Sequence, residues 1–145
     1  MKKLLLLLII PFLSFGQTPS DKEIEEYFTY YAAEWAEMLP MKVDKYTTIM
    51  NVIYSHKHKE WMFQTTFDLG AFLNDDLTEQ EKNELTIKEW GKVWLMEQET
   101  MVGNQFCTDP AFKPFIDYDV LFSYHYTSLV GNYIGKIEFQ KSSCK

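Results

Sequence analysis

Histidines are the side chains of this chain that could most readily do chemistry, and two of the three form its only His-x-His pair. On a strand, His56 and His58 would face the same way, and two imidazoles could bind zinc or copper. Lys57 and Lys59 flank the pair and would repel a cation, and no third ligand lies nearby in the sequence. The pattern therefore predicts exposed turn residues rather than a metal site.

The third histidine, His125, shares one face of a predicted strand with Ser123, which suggests nucleophilic catalysis as a hypothesis. No nucleophile elbow surrounds Ser123, and no acid can be assigned from the sequence to orient His125. A lone histidine on a strand is more typical of a partly buried, hydrogen-bonded residue. We therefore predict no catalytic residue and no enzymatic activity.

Paired acids offer a further route to catalysis or metal binding. Neighbours on a helix point about 100° apart, so Glu25 and Glu26 would not form an acid–base dyad. Calcium could bind at Asn74, Asp75 and Asp76, but no EF-hand spacing follows them. Negative charge there is also favourable before a helix N-terminus. The six glycines are too scattered for a phosphate-binding loop, so we expect no metal and no cofactor.

The first sixteen residues predict export. Lys2 and Lys3 precede an apolar run over residues 4–13, and Ser14 and Gly16 fit a signal-peptidase site. About a dozen apolar residues is too short for a membrane anchor, which needs about 20. We expect residues 1–16 to be a cleavable signal and the mature protein, starting at Gln17, to be periplasmic or secreted. Because position 17 is not cysteine, we expect no lipid anchor and no stable membrane insertion.

The composition of residues 17–145 predicts one acidic domain. Every one of the 14 basic residues is lysine, and removing Lys2 and Lys3 leaves 12 against 21 acids, a net charge of about −9. Binding to nucleic acid needs clustered positive charge, so we exclude this class of partner. In an exported chain, the two cysteines, Cys107 and Cys144, predict a disulfide. The chain has no Cys-x-x-Cys motif to favour a redox or metal site instead.

Helices are predicted from capping motifs and from apolar spacing. Ser20 and Glu23 form a capping box that begins a helix, and Pro40 ends it. A second capping box over residues 78–81 begins a long central helix that should run to about Met101, where Gly103-Asn104 supplies the stop. Asp109-Pro110 predicts a short helix over residues 110–115. We interpret residues 41–47 and 70–77 as a connector and a loop.

Strands are predicted where β-branched and aromatic residues cluster or alternate with polar ones. They fall over residues 48–55, 61–69, 120–127 and 133–140. Short connections within each pair predict two hairpins. The sequence thus predicts an α+β domain with an antiparallel sheet of about four strands packed against the N-terminal helix and the long central helix.

Two stretches resemble a loose class of small exported bacterial proteins that have no established activity. One is LPMKVDKYTTIMNV over residues 39–52, followed by a strand hairpin. The other is FCTDP over residues 106–110, followed by FIDYDVLFSYHY over residues 115–126 and by IGKI over residues 134–137. This class combines an LP..VD..T segment with a later C.dP turn and a tyrosine-rich C-terminal hairpin. The resemblance implies a compact α+β domain and carries over no catalytic residue, although Asp119 stands where the class would have glycine.

The function predicted from these observations is an exported, non-enzymatic protein-interaction module of the bacterial envelope. A secretion accessory, an inhibitor of an exported enzyme or an immunity protein would each fit, with a protein partner in the envelope. The alternative is a carrier of a small apolar ligand, or a weak enzyme, with a pocket between helices and sheet. The candidate binding residues, which could instead fill the core, are Tyr27, Tyr31, Trp35, Tyr124 and Tyr126.

Overall fold

The computed structural model describes residues 18–76, 78 and 87–144. Its α-helices are α1 (Asp21–Glu37), α2 (Leu69–Asp76), α3 (Ile87–Thr108) and α4 (Lys113–Asp117). Single 3-10 turns cover His56–His58, Pro110–Phe112 and Lys141–Ser143. None of the helices among the described residues is long and apolar enough to cross a membrane.

The strands form one five-stranded sheet in the order β1-β2-β3-β4-β5. They are β1 (Met41–Lys42), β2 (Thr47–Ser55), β3 (Glu60–Phe67), β4 (Leu121–Ser128) and β5 (Tyr133–Phe139). Neighbouring strands are antiparallel except for β3 and β4, which are parallel. The mixed α/β architecture agrees with the predicted class. The prediction of about four antiparallel strands is wrong, because the chain between β3 and β4 is a helical crossover that returns it to the starting end of the sheet.

The α-helices pack against one face of the sheet. On β3, Trp61, Phe63 and Phe67 point to this face and are at most 2% exposed. Helix α1 lies over β2 and contacts β3 through aromatic side chains, whereas α3 lies along β5 at the far side of the sheet. The central strands therefore lie between the two long helices. This arrangement positions the candidate site.

Helix α1 begins as predicted, because Ser20 and Glu23 form a complete capping box. Its buried anchor is Phe28, which is 0% exposed. The Phe28 ring lies 5.2 Å from the rings of Tyr54 and Phe115. One aromatic side chain thus joins α1 to the sheet and to α4.

Helix α3 runs past Gly103-Asn104, the pair predicted to end it, and continues to Thr108. The reason is close packing against β5. A Cβ atom on Gly103 would lie 2.9 Å from Cε1 of Phe139, and one on Gly135 would lie 2.3 Å from Cδ1 of Leu95. Gly103 therefore serves the contact between helix and sheet rather than a helix stop.

Two segments predicted to be irregular are ordered elements. Residues 41–42 form β1, and residues 69–76 form α2. At the start of β2, Asp44 accepts hydrogen bonds from the backbone N–H groups of Tyr46 and Thr47, both at 2.8 Å. Asp119 has a φ of 53°, in the left-handed region that glycine favours. The capping box predicted over residues 78–81 extends outside the described residues.

A disulfide joins Cys107, near the end of α3, to Cys144, with 5.3 Å between their Cα atoms. The short helical turn after β5, Lys141–Ser143, ends at Cys144. The disulfide therefore ties the chain that follows the edge strand to the last turn of α3.

Candidate functional site

The three aromatic candidates from α1 form one face of that helix. The centroids of Tyr27 and Tyr31 are 6.1 Å apart, and those of Tyr31 and Trp35 are 6.3 Å apart. Tyr31 also lies 5.2 Å from Trp61 of β3. Tyr27, Tyr31 and Trp35 are each partly exposed. They contact the core without being enclosed by it.

Phe63 connects these rings to the two candidates on β4. It lies 5.2 Å from Trp35 and 5.1 Å from Tyr124, which in turn lies 6.0 Å from Tyr126. Tyr124 is partly exposed although its strand is central, whereas Tyr126 is only 3% exposed. Tyr126 therefore belongs to the core. The structure brings all five predicted residues into one row, here called the aromatic row: Tyr27, Tyr31, Trp35, Phe63, Tyr124 and Tyr126.

The aromatic row crosses the sheet between α1 and α3, and exposed methionines extend its two sides. Met38 follows Tyr31 by two helical turns and is 49% exposed. Met101 follows Trp94 by two helical turns and is 54% exposed. Trp94 itself packs edge-on against Tyr126 at 4.9 Å. We call the surface between α1 and α3, which these rings and the two methionines mark, the aromatic groove.

The helix positions beside these methionines carry negative charge. Glu34 precedes Met38 by four residues, and Glu97 precedes Met101 by four residues. Burial raises the pKa of Tyr31, and the charge of Glu34 raises it further. The hydroxyl of Tyr30 donates a hydrogen bond to Glu34 at 2.7 Å. The rims of the aromatic groove are therefore acidic.

The buried hydroxyls of the aromatic row predict sensitivity to alkaline pH. Burial raises the pKa of Tyr27 to about 12 and also raises the pKa of Tyr124 and of Tyr126. Above pH 10 the unfolded chain loses protons that the folded chain keeps. The free energy of unfolding should then fall by up to about 1.4 kcal/mol per pH unit for each such tyrosine. Urea unfolding between pH 9 and pH 11.5 measures this fall.

A Tyr124→Phe variant isolates one hydroxyl, because the other groups titrate equally in both proteins. The difference in unfolding free energy between wild type and variant should be constant below pH 9 and should shift in favour of the variant above pH 10. A difference that stays constant up to pH 11.5 would contradict the burial of this hydroxyl.

The His-x-His pair lies in the 3-10 turn between β2 and β3. His58 is exposed as predicted, but His56 is only partly exposed. Nε2 of His56 lies 3.1 Å from Oδ2 of Asp21 and 3.9 Å from Oε2 of Glu25, while its Nδ1 lies 3.2 Å from the hydroxyl of Tyr54. His56 thus joins the turn to the start of α1.

The acids considered as calcium ligands, Asp75 and Asp76, do not form a metal site in the described part of the chain. Oδ2 of Asp75 lies 2.9 Å from Nζ of Lys45. The side chain of Asp76 lies outside the described part of the chain. Within the described ranges, no three His, Cys, Asp or Glu side chains are grouped so that they could hold a metal ion.

Ser123 and His125 lie beside an acidic side chain, Glu60, that the sequence pattern did not predict there. The parallel pairing of β3 with β4 places Glu60 beside them, on the sheet face that α1 and α3 do not cover. Ser123 donates a hydrogen bond to Oε1 of Glu60 at 2.8 Å, and Nε2 of His125 lies 3.8 Å from the same oxygen. The serine therefore contacts the acid rather than the histidine, and it is 0% exposed. This is not the serine–histidine–acid order of a catalytic triad.

Two open surface depressions lie away from the aromatic row. One lies on the outer side of α1, around Glu26 and Tyr30. The other lies beside the disulfide, where α3 meets the end of β5, and here is called the disulfide groove. Its walls include Gly103, Cys107 and Phe139.

Sequence comparison gives no relative: no family model matches the chain, and no curated protein matches it. The fold, however, matches solved structures. A Pseudomonas aeruginosa protein described as secreted has a TM-score of 0.64 at 11% identity, over 90% of this chain and 100% of that one. The type 2 secretion pilotin EpsS of Vibrio vulnificus has a TM-score of 0.61 at 12% identity, over 86% and 94% of the two chains. The type II secretion pilotin AspS of Vibrio cholerae has a TM-score of 0.57 at 10% identity, with the same coverage.

Proposed function

We propose that this protein is an exported, non-enzymatic module of the bacterial envelope, with residues 17–145 as one domain, and that it binds another protein through the aromatic groove. The observation that carries the proposal is the aromatic row, in which Tyr27, Tyr31 and Trp35 of α1 and Tyr124 of the central strand β4 stay partly exposed. Aromatic residues and methionine are enriched at the centres of protein interfaces. Because most rings of the row already pack on the core, binding would cost little ordering of side chains.

The groove favours a helix as the bound element. Its two long walls are helices, and its apolar positions recur at helical spacing along each of them, as a groove for an amphipathic helix requires. Flexible methionines on the rims can adapt to the side chains of such a helix. Glu34 and Glu97 stand on the rims, and no lysine occupies the stripes that carry Met38 and Met101. The expected partner segment is therefore an amphipathic helix whose apolar face is flanked by lysine or arginine.

The fold likeness supports an accessory role. The three similar structures are matched over nearly their whole length, and two of them are pilotins of type 2 secretion systems. A partner within a secretion machine is the most specific form of the proposal.

Photocrosslinking in the native envelope tests the proposed groove. A benzophenone amino acid replaces Met38 or Met101, one on each rim. Matched controls replace Tyr30, which is 60% exposed on the outer side of α1, and Met96, which is 67% exposed on α3. We expect one protein adduct of the same mass from both rim positions and none from the controls. The adduct's crosslinked peptide should come from a basic amphipathic helix.

A comparison of two alanine variants in partner capture complements the crosslink. Trp35→Ala removes the link between α1 and Phe63 and should weaken partner capture at least tenfold, whereas Thr29→Ala, at an exposed position on the outer side of α1, should leave capture unchanged. Equal adducts from rim and control positions, or no adduct from either rim, would overturn the proposed groove.

A further inference from the structure

The sheet has two edges, and they differ in how much of their length is blunted. Along β2, β1 pairs with Thr48 and Ile49 alone. A bulge at residues 49–51 then interrupts the regular pairing of β2 with β3. Beyond it, Oδ1 of Asn51 accepts a hydrogen bond from the N–H of Val52 at 2.9 Å. Covered ends, bulges and occupied N–H groups are the usual means by which an edge strand avoids pairing with another chain.

The β5 edge is bulged only at its start, where the pairing with β4 skips Ile134. Tyr133–Phe139 is the last strand of the sheet, and its outer side makes no backbone hydrogen bond to any other part of the described chain. Its pairing with β4 is regular from Gly135 to Phe139. Such an edge can accept a further strand through its free N–H and C=O groups.

The charges on β5 specify what kind of strand fits. Lys136 and Glu138 lie two residues apart, so they share a face of the strand, and within one chain they form an ion pair. If a second β5 were added antiparallel about a two-fold axis at Ile137, Lys136 of each copy would stand opposite Glu138 of the other. Registers centred on Lys136 or on Glu138 would instead oppose like charges, which is destabilising. The edge is therefore complementary to itself in one register.

We infer that two copies of this protein pair through β5 about a two-fold axis at Ile137, forming a continuous ten-stranded sheet in which Lys136 of each copy lies opposite Glu138 of the other. The aromatic groove lies between α1 and α3, over the middle strands, and stays open in this dimer. The dimer would therefore present two aromatic grooves, and binding of a repeated or oligomeric partner would gain from multivalency.

Charge reversal tests the pairing register. Light scattering and sedimentation of the protein purified from the envelope should give twice the mass of one chain. Lys136→Glu and Glu138→Lys alone should each raise the dimer Kd by roughly tenfold or more, because both cross-strand pairs become like-charged. The double variant Lys136→Glu/Glu138→Lys should restore the wild-type Kd. Lys113→Glu, which breaks the ion pair with Asp117 on α4, is the matched control and should change nothing.

Cysteine crosslinking tests the same geometry independently. Mixing a Lys136→Cys protein with a Glu138→Cys protein should give a disulfide-linked dimer under mild oxidation, whereas either protein alone should crosslink much less. A wild-type protein that stays monomeric at every concentration, or a dimer whose Kd is unchanged by charge reversal, would overturn the inference. Either result would leave the proposed function untouched.

Discussion

Replacing Phe28 with alanine should lower the free energy of unfolding by about 3–5 kcal/mol, the range found for large-to-small changes at buried aromatic positions. Phe28 is 0% exposed, and its ring contacts α1, β2, β3 and α4 neighbours at centroid distances of 5.1 to 6.4 Å. Those neighbours are held by their own strands and helices and could not close over the cavity. The loss should therefore fall near the upper part of the range.

Urea unfolding followed by tryptophan fluorescence measures the loss, with Tyr30→Ala as control. Tyr30 lies two residues from Phe28 on the same helix but is 60% exposed, so its replacement should cost less than about 1 kcal/mol. A Phe28→Ala protein that unfolds at the wild-type urea midpoint would mean that α1 is not anchored by this ring.

The sequence predicted those features that short segments determine. The capping box at Ser20 predicted the start of α1, and alternation predicted β3 and β4 to within one or two residues. These signals lie in the residues that form the element, so no distant contact is needed to interpret them. The same holds for Asp109, whose side chain accepts a hydrogen bond from the N–H of Ala111 at 2.9 Å.

Features that depend on distant contacts could not be predicted in this way. Gly103-Asn104 has the composition of a helix stop, but the Phe139 ring 36 residues later favours an uninterrupted helix at that point. The two residues of β1 are too few to show a periodicity. The parallel pairing of β3 with β4 depends on how the intervening helices return the chain, which no local pattern records.

At the candidate site, too, local patterns predicted some features, and distant contacts determine the others. Helical spacing and alternation identified the aromatic residues of α1 and β4, but each set alone is also typical of a core. Phe63 links the two sets, and its role depends on β3 lying between β2 and β4. Glu60 was missed for the same reason, because parallel pairing of β3 with β4 brings it to Ser123.

Removing the disulfide should lower the free energy of unfolding by about 4 kcal/mol, because the bond closes a loop of 37 residues in the unfolded chain. The Cys107→Ala/Cys144→Ala variant makes the change without leaving reactive thiols. In the folded state the bond also holds the chain after β5 against α3, so its loss should free residues 140–144 first. Urea unfolding of the variant should show a lower midpoint than that of the oxidised wild type.

A reductant provides the matched control, since it breaks the same bond without changing any side chain elsewhere. Dithiothreitol should lower the urea midpoint of the wild type to near that of the variant and should leave the variant unchanged. If the reduced wild type stays as stable as the oxidised protein, the disulfide does not constrain the unfolded chain. A reductant effect on the variant would show that the loss comes from another source. The expected pair of results would make export to an oxidising compartment a condition of this protein's stability, because thiols stay reduced in the cytosol.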